Sequence, residues 1–418
     1  MRVLIAAYSE KTHFYNLVPI AWALRTAGHE VRVVSQPSLT STIVEAGLTA
    51  VAVGRDHSFM EVMESKEEDE GWADRVTSVM TDPENTDWEG LYDFFEDATV
   101  NSFRTFNDGW VDELVEYARE WRPDLVLWEA FTFAGAVAAR VVGAAHVRVL
   151  WGADVLTRAR HRFVSLLEKR SPEDRSDPLG EWLGEILGRY GHTFDEEIVT
   201  GQRVLDQAPT SMRLPDQAHT VPVRYVPYNG PAEVPSWLLE PPRKPRVCVT
   251  AGMSMRNFFG FDMIPLEILQ PFADLDVEVV ATLVPGEGGV PDLPPNVRLV
   301  DFVPMNALLP TCSAVVHIGG AGVVSTALLH GVPQLTLVPG LWDTVVRARA
   351  LRDNGAGLLL MPGEDSPEAV RDNVRRLVEE PSFREAAELL RQEVLSQPTP
   401  NDVVPLLEEL CGHRGTPR

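Results

Sequence analysis

The chain has 418 residues, of which 44% are hydrophobic and 23% charged, and its formal net charge is −24. A single hydrophobic core rarely grows past about 250–300 residues, so this length predicts two domains. The negative charge disfavours nucleic-acid binding, which depends on Lys and Arg, and no apolar run approaches the ~18 residues of a membrane span.

The first residues, "MRVLIAAYSE", pass directly into a short strand-like run. They lack the longer apolar core and the small-residue cleavage site of a signal peptide, so we expect a cytoplasmic protein. The three cysteines, Cys248, Cys312 and Cys411, are scattered and show no metal-ligand spacing. The sequence therefore predicts no metal site.

Short apolar strands alternate with amphipathic helices in the first half of the chain. Strands are predicted at Arg2–Ser9, His29–Gln36, Thr49–Gly54, Pro123–Glu129 and His146–Trp151, and helices at Leu17–Gly28, Pro37–Gly47 and Thr132–Val142. This βαβ alternation predicts a parallel sheet with helices on both faces. The alternation fails between Arg55 and Phe106, an acidic segment that we expect to be helical and rich in loops.

A proline-rich stretch, Val226–Pro245, separates this half from a second one, because prolines at this density fit neither a helix nor a central strand. The alternation then restarts. Strands are predicted at Arg246–Thr250, Val277–Leu283, Asn296–Val303, Ala314–His317, Pro333–Val338 and Gly357–Met361, with helices that include Asp343–Asn354 and Ser366–Glu379. We therefore expect a first α/β domain at 1–225, a linker at 226–245, a second α/β domain at 246–398 and a helix at 399–418 that returns to the first domain.

Glycines crowd the end of one predicted strand, in "VVHIGGAGVV" (Val315–Val324). Glycines at the carboxyl end of a strand let the backbone approach a phosphate closely, and the helix that follows offers free N–H groups. The segment predicts a diphosphate site, or alternatively a tight turn without a ligand.

The same segment also nearly matches the G-x-G-x-x-G/A pattern of dinucleotide-binding proteins, in "GAGVVS" (Gly320–Ser325), with Asp343 about twenty residues beyond. An acid that binds the ribose should lie at the tip of the next strand, whereas Asp343 lies beyond it. A NAD(P)-dependent oxidoreductase thus remains an alternative.

His13 and Glu129 lie just after, and at the end of, two predicted strands of the first half. A neutral histidine can accept a proton from a hydroxyl group, and a carboxylate can orient its imidazole. The pair predicts general-base chemistry, although a loop histidine and a solvated carboxylate without a role fit the sequence as well.

Phrases along the whole chain resemble one family. They are "LVPIAWALRTAGHEVRVVSQP", "GLTAVAVG", "WRPDLVLWE", "FDEEIVTGQ", "RYVPYNGP", "PRVCVTAG", "DFVPMNALLPTCSAVVH" and "GVPQL". Together they resemble the antibiotic glycosyltransferases of the GT-B kind, which attach TDP-activated deoxysugars to macrolide or aromatic polyketide aglycones.

The resemblance implies two Rossmann-like, doubly wound α/β domains that face each other across a cleft. It implies that the first domain binds the acceptor and the second the nucleotide-sugar. It implies an inverting transfer from a TDP-sugar to a polyketide hydroxyl, with no cofactor and no metal. The expected acceptor pocket is apolar, built from irregular segments at Phe94–Phe106 and Ala153–Phe163. It also implies a P450-like auxiliary protein, to whose surface the acidic segment between Arg55 and Phe106 could contribute. A homodimer is a further expectation.

The resemblance also assigns roles to residues. His13 is the general base and Glu129 its acidic partner. The residues expected at the donor are Gly252, Ser254, Val303, Met305, His317, Gly319, Gly320, Ala321, Gly322, Val323, Trp342 and Asp343.

The diphosphate loop departs from the family pattern at two positions. The family usually has a second His where this chain has Ile318, and a Ser or Thr where it has Val323. Because the second His is the expected phosphate contact, position 318 is expected to face the phosphate. A ligand-binding or scaffold homologue with weak catalysis is thus the third alternative.

Overall fold

The structure is a computed structural model that describes residues 1–412 except 67–70, 216–218, 255, 257–261, 286–288 and 341. The chain forms two compact units. Unit one comprises Met1–Gln207, Leu214–Val223 and Pro398–Arg418, and unit two comprises Ala208–Arg213 and Arg224–Gln397. The functional boundaries expected from the sequence, 1–225 and 246–398, stay a prediction.

Unit one contains a parallel sheet that has seven strands in the described residues, in the order β3-β2-β1-β4-β5-β6-β7. Its strands are β1 (Arg2–Ala6), β2 (Glu30–Ser35), β3 (Ala50–Ala52), β4 (Leu125–Glu129), β5 (Ala145–Val149), β6 (Arg203–Asp206) and β7 (Thr220–Pro222). The central strands β4 and β5 are buried at every position, as expected for a parallel sheet that is covered on both faces.

Helices cover this sheet. They are Lys11–Tyr15, Val18–Thr26, Thr40–Glu45, Phe59–Lys66, Trp72–Thr81, Trp88–Ala98, Arg104–Asn107, Val111–Trp121, Phe133–Val142, Val155–Leu167, Pro178–Gly188, Glu197–Thr200 and Pro400–Gly412. A short π-helix, Thr99–Phe103, extends the helix Trp88–Ala98. The acidic segment is thus largely helical, as predicted, although residues 67–70 lie outside the described chain. The segments expected to be irregular, Phe94–Phe106 and Ala153–Phe163, are mostly helical instead, because their apolar residues recur with helical spacing and are buried.

Unit two contains a parallel sheet of six strands within its described residues, in the order β10-β9-β8-β11-β12-β13. Its strands are β8 (Arg246–Thr250), β9 (Glu278–Thr282), β10 (Val297–Leu299), β11 (Ala314–His317), β12 (Gln334–Leu337) and β13 (Gly357–Leu360). Its helices are Met305–Leu308, Ala321–Leu329, Thr344–Asp353, Pro367–Glu379 and Pro381–Ser396, with 3-10 turns that include Leu266–Asp274.

The strand order reverses at one place in each sheet. In unit one the chain builds outward from β1 through β2 to β3 and then places β4 on the other side of β1. In unit two the same reversal separates β8 from β11. Ligands of open α/β sheets bind beyond the carboxyl ends of the strands at such a point. Each unit therefore offers one expected site, after β1 and β4 and after β8 and β11.

The last described helix, Pro400–Gly412, packs against the helix Val18–Thr26 of unit one. His29 and Glu408 form an ion-pair contact of 2.9 Å between Nε2 and Oε1. Among the described residues, no helix combines the length and the apolarity that crossing a lipid bilayer requires.

A close approach of the helix Phe133–Val142 to the sheet fixes the end of β4. A Cβ atom added at Gly135 would lie 2.7 Å from Cβ of Trp128 and 2.9 Å from Cβ of Ala6. We predict that Gly135→Ala lowers the free energy of unfolding by about 1–3 kcal/mol, because the overlap outweighs the helix propensity gained. Thermal or urea unfolding measures the change.

The matched control is Gly184→Ala, in the helix Pro178–Gly188, where the nearest atom to an added Cβ lies at an ordinary 3.7 Å. We expect this control to be neutral or to stabilise the protein by up to about 1 kcal/mol. Equal behaviour of the two variants would contradict the close approach.

Candidate functional site

The structure brings His13 and Glu129 into direct contact. His13 lies on the short helix Lys11–Tyr15 after β1, and Glu129 is the last residue of β4. Because β1 and β4 are hydrogen-bonded neighbours, their carboxyl ends meet at one edge of the sheet. Nδ1 of His13 lies 2.9 Å from Oε1 of Glu129, with the His13 side chain 14% exposed and that of Glu129 1% exposed.

In the described chain, the Glu129 carboxylate accepts two hydrogen bonds besides its contact with His13. Oε2 accepts the backbone N–H of Phe131 and the hydroxyl of Thr132, each at 3.0 Å. An ionised carboxylate only accepts hydrogen bonds, so the proton between Oε1 and the imidazole belongs to Nδ1 of His13. A neutral His13 then carries its lone pair on Nε2, and this nitrogen can take a proton from a substrate.

Aromatic side chains that the sequence analysis did not single out surround His13. The ring centroid of Trp151 lies 4.7 Å from that of His13, that of Tyr8 5.1 Å and that of Phe131 6.4 Å. The position of Tyr8 and Phe131, just beyond the ends of two adjacent strands, is the signal that could have identified them. Apolar walls of this kind suit a large, weakly polar acceptor.

The glycine segment of unit two forms a tight connection between β11 and the helix Ala321–Leu329. Gly319 has a φ of +87°, which favours glycine, and a Cβ added there would lie 3.2 Å from Cβ of Thr344. Gly320 is the N-cap of the helix, and a Cβ added there would meet no atom within 4 Å. Ala321, Gly322 and Val323 form the first helical turn, whose N–H groups lack partners inside the helix. The connection has the form of an anion site.

The side chain of His317 is buried, 1% exposed, at the end of β11. Its Nδ1 accepts the N–H of Gly319 at 2.9 Å, and its Nε2 lies 2.8 Å from Oε1 of Gln334. Burial lowers the pKa of His317 to about 4, so the imidazole is neutral at neutral pH. The geometry makes His317 a residue that positions the glycine connection, and direct contact with a donor stays a prediction.

The side chain of Ile318 belongs to the core of unit two. It is 7% exposed and packs in the cluster that contains Val247, Val316 and Leu335. The expectation that position 318 faces the phosphate is therefore wrong for this side chain. Val323 packs partly buried against a second cluster, which contains Val315 and Ala327.

The loop after β8 lies beside the glycine connection, because Thr250 and His317 are register partners in adjacent strands. Gly252, with a φ of +76°, donates its N–H to Oγ1 of Thr250 at 3.1 Å. Ser254 follows two residues later at a helical position and is partly buried. These residues are thus placed at the switch point that the sheet order predicts.

The remaining predicted donor residues lie on two other connections. Val303 is 1% exposed and belongs to the core, and Met305 begins the helix Met305–Leu308. Trp342 has a φ of +51°. Asp343 is the N-cap of the helix Thr344–Asp353 and accepts a 2.8 Å bond from Nη2 of Arg347. Asp343 thus lies at a helix start and not at a strand tip, which disfavours the dinucleotide alternative.

Metal ligation has no candidate in the described part of the chain, where no three His, Cys, Asp or Glu side chains are placed to hold an ion. The described residues place an imidazole–carboxylate pair in unit one and a glycine-rich helix N-terminus in unit two.

We predict that Ile318→His lowers the free energy of unfolding by about 2–4 kcal/mol, because it places an imidazole in the apolar core. The control is Ile318→Val, which retains an apolar side chain and should cost about 1 kcal/mol. Urea unfolding of both variants measures the difference. An Ile318→His protein as stable as the parent would mean that the side chain at 318 points away from the core.

Comparisons with known proteins match the whole chain. Residues 22–252 match the family described as "Erythromycin biosynthesis protein CIII-like, N-terminal domain", and residues 266–410 match the corresponding C-terminal domain. The chain is 49% identical to the 10-deoxymethynolide desosaminyltransferase of Streptomyces venezuelae, over 100% of this chain and 99% of that protein. It is 46% identical to the aclacinomycin-T 2-deoxy-L-fucose transferase of Streptomyces galilaeus, over 100% of this chain and 99% of that protein.

A solved structure gives the same result for the fold. The glycosyltransferase VinC in complex with dTDP is 38% identical and matches with a TM-score of 0.87, over 99% of this chain and 100% of VinC. The resemblance found in the sequence is confirmed, and the oxidoreductase alternative is not favoured. The chain belongs to the EryCIII-like family and is a glycosyltransferase of the GT-B fold.

Proposed function

We propose that the protein is an inverting glycosyltransferase that moves a deoxysugar from a TDP-sugar to a hydroxyl group of a polyketide aglycone. The observation that carries the proposal is the contact of Nδ1 of His13 with Glu129, which leaves Nε2 as the proton acceptor. The relatives named as desosaminyl and 2-deoxy-L-fucose transferases support the sugar class, and VinC in complex with dTDP supports the nucleotide.

In the proposed reaction, Nε2 of His13 takes the proton of the acceptor hydroxyl. An electron pair of the acceptor oxygen then forms a bond to the anomeric carbon from the face opposite the nucleotide. At the same time, the bond from that carbon to the phosphate oxygen breaks. The transition state resembles an oxocarbenium ion. Glu129 stabilises the imidazolium that forms, since Oε1 is already hydrogen-bonded to Nδ1.

The departing TDP carries the electron pair of the broken bond. We assign its diphosphate to the first turn of the helix Ala321–Leu329, where backbone N–H groups and the helix dipole favour an anion. Neither position 318 nor position 323 supplies a polar side chain. We therefore assign this interaction to the backbone of Gly320–Val323.

Three further features are part of the proposal, of which the auxiliary protein rests on the resemblance and the location on the first residues of the sequence. They are a P450-like auxiliary protein, a homodimer and a cytoplasmic location. The acidic segment assigned to the auxiliary surface includes residues outside the described chain. Size-exclusion chromatography with light scattering, with and without the auxiliary protein, tests the first two.

Glu129→Gln should abolish transfer nearly as fully as His13→Ala, with both rates down by about 10²–10⁴-fold. The N–H of Phe131 and the hydroxyl of Thr132 hold an acceptor at the Oε2 position, so the new amide must turn its NH₂ group toward Nδ1. His13 then carries its proton on Nε2 and cannot act as the base. Single-turnover transfer from a TDP-sugar measures the loss.

Both variants should bind TDP with an unchanged dissociation constant in calorimetry, because the two residues lie in unit one and the proposed diphosphate site lies in unit two. Glu30→Gln, at an exposed carboxylate that pairs with Arg32, is the matched control and should keep full activity. Near-normal transfer by His13→Ala would refute the proposed base.

Gly319→Ala should weaken TDP binding by about tenfold or more. A residue with a Cβ is strained at a φ of +87°, and the added Cβ would lie only 3.2 Å from Cβ of Thr344. The control is Gly363→Ala, which has the same φ of +87° but no atom within 4 Å of the added Cβ. It carries the same backbone strain away from the glycine connection and should leave TDP affinity unchanged. Equal affinities for the two variants would place the diphosphate elsewhere.

A further inference from the structure

Tyr8 contacts the imidazole of His13 in an unusual way. Its hydroxyl oxygen lies 3.2 Å from Nδ1 and 3.3 Å from Nε2, so it is nearly equidistant from the two nitrogens. At these two distances, an oxygen in the plane of the imidazole ring would overlap a ring atom, such as the Cε1–H group between the two nitrogens. The rings also meet at 64° with centroids 5.1 Å apart. The hydroxyl therefore lies over the face of the imidazole and not in line with either lone pair.

Packing holds the hydroxyl of Tyr8 at this position. The Tyr8 side chain is 2% exposed, and its ring stacks on Phe106 with centroids 4.4 Å apart. The Tyr8 backbone N–H donates to Oγ1 of Thr132 at 3.1 Å, and the hydroxyl of Thr132 donates in turn to Glu129. The same carboxylate that orients His13 is thus linked to the residue that covers its ring.

The phenol remains protonated where the enzyme works. Burial, together with the negative charges of Glu129 and Glu10, raises the pKa of Tyr8 well above its ordinary value. The charged or titratable neighbours of the Tyr8–His13 pair in the described chain are Glu129 on β4, Glu10 before the helix, and His57, whose ring lies 5.7 Å from that of Tyr8. A neutral phenol presents either its proton or its oxygen lone pair by rotation about the C–O bond.

We propose that Tyr8 is a positioning residue for the His13 base, whose hydroxyl oxygen stabilises the imidazolium through the ring face when His13 takes the acceptor's proton. The inference rests on the proposed function. In neutral His13 the O–H dipole points at the π face, which is negative. Once the ring is positive, the hydroxyl turns and presents its oxygen. Glu129 stabilises the same charge in the ring plane, so the two residues act from different directions.

Tyr8→Phe removes the oxygen and keeps the stacked ring. The acid limb of the kcat/KM profile should move to lower pH by about half a unit to one unit, and kcat on the plateau should fall by about 3–10-fold. KM for the TDP-sugar should stay unchanged. The control is Tyr117→Phe in unit one. It also removes a partly buried tyrosine hydroxyl, which accepts a hydrogen bond from Arg32, and it should leave the pH profile of kcat/KM unchanged.

A second readout is independent of turnover. In protein labelled with ¹³C at histidine Cε1, with the resonance assigned by His13→Gln, the pH midpoint of the His13 signal should fall in Tyr8→Phe and stay constant in Tyr117→Phe. An unchanged or higher midpoint would overturn the role of Tyr8. A lower midpoint with an unmoved kinetic limb would retain the contact but overturn His13 as the base of the proposed reaction.

Discussion

The hydrogen bond between Nδ1 of His13 and Oε1 of Glu129 is the constraint on which the proposed chemistry depends. It fixes the tautomer, and the tautomer decides which nitrogen is free to take a proton. The fold brings the two residues together because β1 and β4 are adjacent and parallel and their carboxyl ends lie at one edge of the sheet. The donors of Phe131 and Thr132 both bind Oε2, and Oε1 is the oxygen that contacts the imidazole.

Unit two repeats the topology of unit one with a different chemical result. Its switch point lies between β8 and β11, and the residues there are glycines and a buried histidine where unit one has an imidazole and a carboxylate. Both ring nitrogens of His317 form hydrogen bonds, to Gly319 and to Gln334. The imidazole therefore stabilises the backbone of the glycine connection. One sheet architecture thus holds the proposed base in one unit and the proposed anion site in the other.

The sequence was sufficient to predict the central strands, since buried parallel strands are continuous apolar runs. The predicted strands Arg246–Thr250 and Ala314–His317 have the same first and last residues in the structure. It also located His13 and Glu129 at strand ends. The short strands Arg203–Asp206 and Thr220–Pro222 were missed because charged and polar residues interrupt them. The burial of Ile318 and the contact of Tyr8 with His13 could not be predicted from the sequence, because both depend on the direction in which a loop leaves its strand.

The ¹⁵N resonances of the His13 imidazole test the central claim most directly. For neutral His13 in the ligand-free protein, the account predicts that Nδ1 carries the proton, with a large one-bond N–H coupling and slow exchange, and that Nε2 is unprotonated. Glu129→Gln should exchange the two assignments. A protein in which Nε2 carries the proton and Nδ1 is bare would contradict the account, because His13 could not then accept a proton from the acceptor hydroxyl.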